Sequence, residues 1–252
     1  MNVEPRLTVK PAGDAAVMVE LGDRIDPELN RLVHRLADTV AERLERLGRV
    51  EVVPAYASFL VSFNPRQITH DDVERAVHGL DLDQGQPSVG STSRFILPVS
   101  YGGQFGPDLD EVARRTGLTA DEVIERHAGR DYPIFCIGFA PGFPFLGGLD
   151  PALHTPRLEN PRPLVPRGSV AIGGAQTGVY PTSTPGGWRI IGRTPLTLFD
   201  VERDPPIPYR PGDVIRFEPI DEAEFLRIEP LRRMPIPETL LRPPKHRSPK
   251  RR

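Results

Sequence analysis

The sequence predicts an α+β domain followed by a β-rich barrel or sandwich domain. Three observations carry this. An amphipathic helical pattern lies between strand patterns within the first 80 residues. A polar, turn-rich stretch, Asp81–Ser93, follows it. The segment Gly138–Arg193 then holds eleven of the 23 glycines yet keeps Phe139, Phe143, Phe145, Val179, Tyr180, Trp188 and Ile190. A flexible linker lacks such residues, whereas short strands joined by tight turns need both kinds.

Ala15–Leu21 (AAVMVEL) reads as a strand. Asp26-Pro27 opens a helix, with Asp as N-cap and Pro at the first helical position. Leu29, Leu32, Val33, Leu36, Val40, Leu44 and Leu47 mark its apolar face, and Gly48 ends it. Arg49–Tyr56 and Ala57–Phe63 read as strands, and Thr69 caps a second helix over Asp71–His78. Two helices on one sheet make an α+β module over 1–85, with the linker at 86–93. The second domain is expected over 94–225. It starts with a strand, Arg94–Val99, and two short helices, Asp108–Arg115 and Thr119–Arg126. Thr119 with Glu122 forms a capping box. Short strands follow, the last being Asp213–Glu218. Residues 226–252 are read as an extended, basic, proline-rich tail.

Charge is nearly balanced, 32 basic against 34 acidic residues, which argues against nucleic acid or a membrane surface as partner. No run is long enough to span a bilayer and the N-terminus has no apolar leader, so a cytoplasmic protein is expected. The single cysteine, Cys136, excludes an intrachain disulfide or a Cys-rich metal site. It lies in an apolar run and reads as a small core residue. No metal site is expected, and GxxxxGK[ST], GxSxG and HExxH are absent.

Polar groups concentrate in the glycine-rich stretch. Gly173, Gly174, Gln176, Thr177, Tyr180, Ser183, Trp188 and Arg189 are the candidate substrate-binding residues. Glycines admit a ligand to the backbone, hydroxyls and an amide orient it, and Arg189 or Arg193 holds an anion. Turn chemistry and core filling explain the same residues. His127, on one helical face with Val123 and Ile124, is a candidate acid/base or a helix-end histidine favoured by the dipole. Arg193 is the second candidate catalytic residue. Arg157, Arg162 and Arg167, five residues apart, rim an anionic site or a solvated loop. Phe143–Leu146 is expected as an exposed apolar patch.

The ordered stretches GDAAVMVELG, VVPAYASFLVSF, GFAPGFPFLGGL, PRPLVPRGSVAIGGAQTGVYPTSTPGGWRIIGRTP and YRPGDVIRFEPI resemble the family of 5-oxoprolinase B subunits, also known as allophanate hydrolase subunit 1. The resemblance covers roughly residues 7–220. It implies a cyclophilin-like barrel for the second domain and work within a complex, beside a carboxyltransferase-like C subunit and an A subunit. That assembly hydrolyses 5-oxo-L-proline to L-glutamate with ATP and Mg²⁺. The family also includes an inhibitor of a sporulation histidine kinase, and similar domains occur in urea carboxylase. Both remain alternatives here, as does action on allophanate. Phe145 stands where the family usually has Tyr. No lysine occurs between Lys10 and Lys245, so no biotin is carried on the folded part of this chain.

Overall fold

The computed structural model describes residues 7–80, 82 and 92–238. The linker expected at 86–93 lies, up to residue 91, outside them, as does the basic tail beyond 238.

The first domain is a four-stranded antiparallel sheet under two helices. Its strands are β1 (Thr8–Pro11), β2 (Ala16–Glu20), β3 (Val50–Pro54) and β4 (Ser58–Phe63), in the order β1-β2-β4-β3. Helix α1 (Pro27–Glu45) starts where Asp26 accepts a hydrogen bond from the Leu29 amide, and α2 (His70–Val77) starts with a capping box at Thr69. Val33, Leu36, Val40 and Leu44 of α1 meet Val17, Val19, Phe59 and Val61 of the sheet. Each such fully buried side chain stabilises by about 2 kcal/mol. The strand β1 was missed in the sequence because its alternation is broken by Lys10 and Pro11 at a sheet edge. Leu47, read as the last residue of the apolar face, is exposed. The helix has ended at Glu45, before Leu47 reaches the sheet.

The second domain is a closed seven-stranded barrel. In chain order come β5 (Arg94–Tyr101), α3 (Leu109–Thr116), α4 (Ala120–Ala128), β6 (Asp131–Ile137), β7 (Pro144–Leu146), β8 (Arg162–Val165), β9 (Ser169–Gly173), β10 (Gln176–Val179), β11 (Thr184–Gly186), β12 (Arg189–Arg193), β13 (Val214–Pro219) and α5 (Glu222–Ile228). The barrel runs β10-β7-β6-β13-β5-β12-β9 and closes by the antiparallel β9–β10 hairpin. Strands β8 and β11 form a separate ribbon. The first and last strands, β5 and β13, lie parallel, Val214 opposite Arg94. The Thr119–Glu122 capping box forms as the sequence predicts.

Where the sequence reading starts an extended tail, residues 222–228 are helical instead. EAEFLRI has no proline, Asp221 caps it, and Phe225 is buried. The chain then stays on the barrel as far as Glu238, which pairs with Arg94.

The two domains are joined by α1. Asn30 Nδ2 donates to the carbonyls of Ala55 (2.8 Å) and Tyr56 (3.2 Å), and His34 Nε2 donates to the Phe135 carbonyl on β6 at 2.8 Å. This holds the β3–β4 turn, with Tyr56 at its tip, against the barrel.

Candidate functional site

The sequence-predicted residues fall into three places. One group sits in the barrel core. His127 is fully buried, its ring stacked on Phe217 at 4.6 Å. The Thr177 hydroxyl donates to the Ala171 carbonyl at 3.0 Å, so it accepts from His127 Nε2–H at 2.9 Å. His127 Nδ1 then accepts from the Tyr101 hydroxyl at 2.8 Å. Every polar atom of the ring is satisfied. Burial pushes its pKa down to about 3, so it stays neutral and walled off from solvent, bonding α4 to the barrel. The dipole of the helix end, which favours a cation, is outweighed by desolvation.

A second group lies at the end of β12 away from Arg189. Arg193 Nε donates to the Arg167 carbonyl at 2.9 Å, Nη2 pairs with Glu229 at 3.1 Å, and the guanidinium lies 5.6 Å from the Phe225 ring. It fastens α5 and the following turn to the barrel. Ser183 accepts from the Arg167 amide and belongs to the same corner. Arg193 lies four strand positions from Arg189, about 13 Å.

The third group gathers at the domain junction. Gly173 and Gly174 close the β9–β10 hairpin. Gly174 has φ +69°, and a Cβ on Gly173 would come within 2.5 Å of the Trp188 indole. Glycine lets Trp188 lie flat on the hairpin, where it meets Phe143 at 5.6 Å and Phe145 at 6.1 Å. Tyr180 packs edge-on to Phe143 at 5.2 Å. Gln176 is 5% exposed. Its Oε1 accepts from the Tyr56 hydroxyl at 3.3 Å, and its Nε2 is buried without an acceptor among the described residues. Tyr56, from the other domain, leans edge-on against Phe135 and Phe145. Burial, only partly offset by the Gln176 hydrogen bond, pushes its hydroxyl up to about 12, so it remains a neutral donor.

Arg157 completes the junction. Its guanidinium lies 5.6 Å from the Trp188 ring, and no carboxylate pairs with it among the described residues. Its loop is pinned on both sides: Thr155 and Gly174 exchange backbone hydrogen bonds, and Leu158 N donates to the Gly187 carbonyl at 2.7 Å. Arg189, almost fully buried, donates from Nε to the Pro156 carbonyl at 2.9 Å and lies 3.9 Å from Glu111. It therefore holds the loop that presents Arg157. A hollow of about 500 Å³, lined by Arg115, Arg157, Asn160 and Arg189, opens beside it. A second hollow, of about 930 Å³, runs between α1 and the barrel past His34, Asp38 and Arg210, and none of the sequence-predicted residues lines it.

One expectation changes. Phe143 and Leu146 are buried, not an exposed patch, because β7 is a barrel strand; the exposed aromatic is Phe139, 65% accessible and at φ +64°. Asp131 pairs with Arg94 and Arg216, and Asp150 with Arg126 and Arg130. Cys136 is buried, its thiol pushed up to about 11 by desolvation. Tyr56 was missed: a lone tyrosine between two strands, 120 residues from Gln176, carries no local signal. Arg157 had one, its place in the arginine series.

Residues 7–209 match the family profile described as the carboxyltransferase domain, subdomain C and D. The chain is 40% identical over 230 residues to the 5-oxoprolinase B subunit of Bacillus subtilis (strain 168), covering 87% of this chain and 95% of that one. It is 44% identical over 213 residues to the 5-oxoprolinase B subunit of Escherichia coli O157:H7, covering 84% and 95%. The crystal structure of TTHA0988 superposes with a TM-score of 0.71 at 35% identity over 82% of this chain, which spans only 40% of that longer one. With likeness along 95% of the length of two such proteins, the chain belongs to the family of 5-oxoprolinase B subunits.

Proposed function

We propose that this chain is the B subunit of a cytoplasmic, ATP-dependent 5-oxoprolinase, acting with an A and a C subunit to open 5-oxo-L-proline to L-glutamate. The likeness to two proteins of that name across 95% of their lengths carries this reading. The junction supports a share of the work rather than all of it. It offers neutral donors in Tyr56 and Gln176, a cation in Arg157 with no carboxylate on it among the described residues, and an aromatic wall. It makes no use of His127, which is sealed in the core.

A lactam resists water because its amide is resonance-stabilised and its nitrogen is a poor leaving group. ATP, when bound, supplies activation by phosphorylating the lactam oxygen. This chain's residues would bind and orient the ring, and desolvate it against Trp188 and Phe145. ATP with its Mg²⁺ would be shared between this chain and the partner chains. Phe139, exposed beside the aromatic wall, gives those partners an apolar edge.

Co-expression with the A and C subunits, followed by an assay for glutamate from 5-oxo-L-proline, tests this. Glutamate is expected when all three chains and ATP are present. A stable, complete assembly that makes none refutes the reading.

A further inference from the structure

The unsatisfied amide of Gln176 is the least expected feature of the junction. A buried N–H without an acceptor is costly. Here it sits beside a hydroxyl from the other domain and near a cation without a carboxylate among the described residues. The Tyr56 hydroxyl donates to Gln176 Oε1, which leaves Nε2 as the end with a free donor. The carbonyl oxygen keeps a second lone pair.

We propose that Gln176 and Arg157 together read a cyclic amide that bears a carboxylate. Gln176 Nε2–H donates to the lactam carbonyl and Oε1 accepts the lactam N–H, while Arg157 pairs with the carboxylate. A lactam is locked cis, so its C=O and N–H lie on one edge and match the two ends of a carboxamide. Tyr56 is the positioning residue. It holds the plane of the amide and, being half-buried, is the part of the set that turns outward to admit the ring. Trp188 and Phe145 supply the flat apolar wall. The inference rests on the 5-oxoprolinase reading and assigns its substrate contacts.

The test is calorimetric titration of the assembled enzyme without ATP, so that nothing turns over. Three probes are used: 5-oxo-L-proline, its lactone isostere 5-oxotetrahydrofuran-2-carboxylate, which lacks the N–H, and 2-pyrrolidone, which lacks the carboxylate. Wild type should prefer the lactam acid to the lactone about tenfold or more. Gln176→Leu should abolish that preference, whereas Gln176→Glu, which keeps the acceptor and loses the donor, should keep it while weakening lactam and lactone alike. Tyr56→Phe should reduce it while leaving 2-pyrrolidone weakened in the same proportion as 5-oxoproline. Arg157→Gln should weaken 5-oxo-L-proline about tenfold or more and leave 2-pyrrolidone within about twofold. A lactam preference that survives Gln176→Leu, or an Arg157 variant that weakens acid and neutral lactam alike, overturns the assignment. An enzyme that binds in this pattern yet forms no glutamate refutes the reaction and keeps the site. One that forms glutamate but ignores both substitutions keeps the reaction and refutes the site.

Discussion

His127 shows how a residue with the right chemistry is withdrawn from it by its surroundings. Its two nitrogens are consumed by Tyr101 and Thr177, and its face by Phe217. His127→Ala should cost about 3 kcal/mol, through a cavity and the stranded Tyr101 hydroxyl; chemical denaturation measures it. Acid should act at the same point. The unfolded chain takes up a proton near pH 6.5, whereas the folded core refuses it until about pH 3. Stability should therefore be complete above pH 6.5 and fall as pH drops through that window, by roughly 1.4 kcal/mol per unit from this group. Melting curves should lose part of that slope in a His127→Gln protein. Arg193 is likewise engaged, by Glu229 and a carbonyl, and Arg193→Ala should cost about 1 kcal/mol of stability.

At the scale of elements, the two-glycine hairpin sets the shape of the junction. Gly173→Ala would place a methyl 2.5 Å from the indole of Trp188 and push the ring off the hairpin. Trp188 is the only tryptophan and is almost fully buried, so its emission should shift to longer wavelength; an unshifted spectrum would mean that the ring has room. Elements of this kind were legible in the sequence wherever a local rule governs them. Asp26-Pro27 and the Thr119–Glu122 box marked their helix starts because capping is settled within about four residues. The short helix over residues 222–228 was lost under the basic composition that follows it. The loop carrying Arg157 could not be read, since its order comes from Gly174, Gly187 and Arg189, all brought to it by the barrel.

For the whole molecule, the decisive contacts join distant residues. Strands β5 and β13 pair in parallel although some 120 positions separate Arg94 from Val214, and Tyr56 reaches Gln176 across another 120. Periodicity announces a strand but not its neighbour, so the two domains were legible and their junction was not. Gln176, Trp188 and the glycines were legible as candidates because they cluster in sequence. Ser183 and Arg193 cluster with them, yet the strands carry both to the far end of the barrel. Asn30 holds the β3–β4 turn through the carbonyls of Ala55 and Tyr56 and reaches the barrel at the Phe135 carbonyl. Asn30→Ala should loosen Tyr56 and weaken substrate binding severalfold, with far-UV circular dichroism unchanged; unaltered binding would mean that the turn is held by packing alone.

Our proposal places the working face at the domain junction, with Arg193 serving the fold. The most direct measurement of this is kcat/KM for 5-oxo-L-proline, beside Tm, for Gln176→Leu and Arg193→Ala in the assembled enzyme. Gln176→Leu should lower kcat/KM about tenfold or more with little change in Tm, while Arg193→Ala should lower Tm and keep kcat/KM within about twofold. The reverse pattern, with turnover collapsing at Arg193 and indifferent to Gln176, would contradict it.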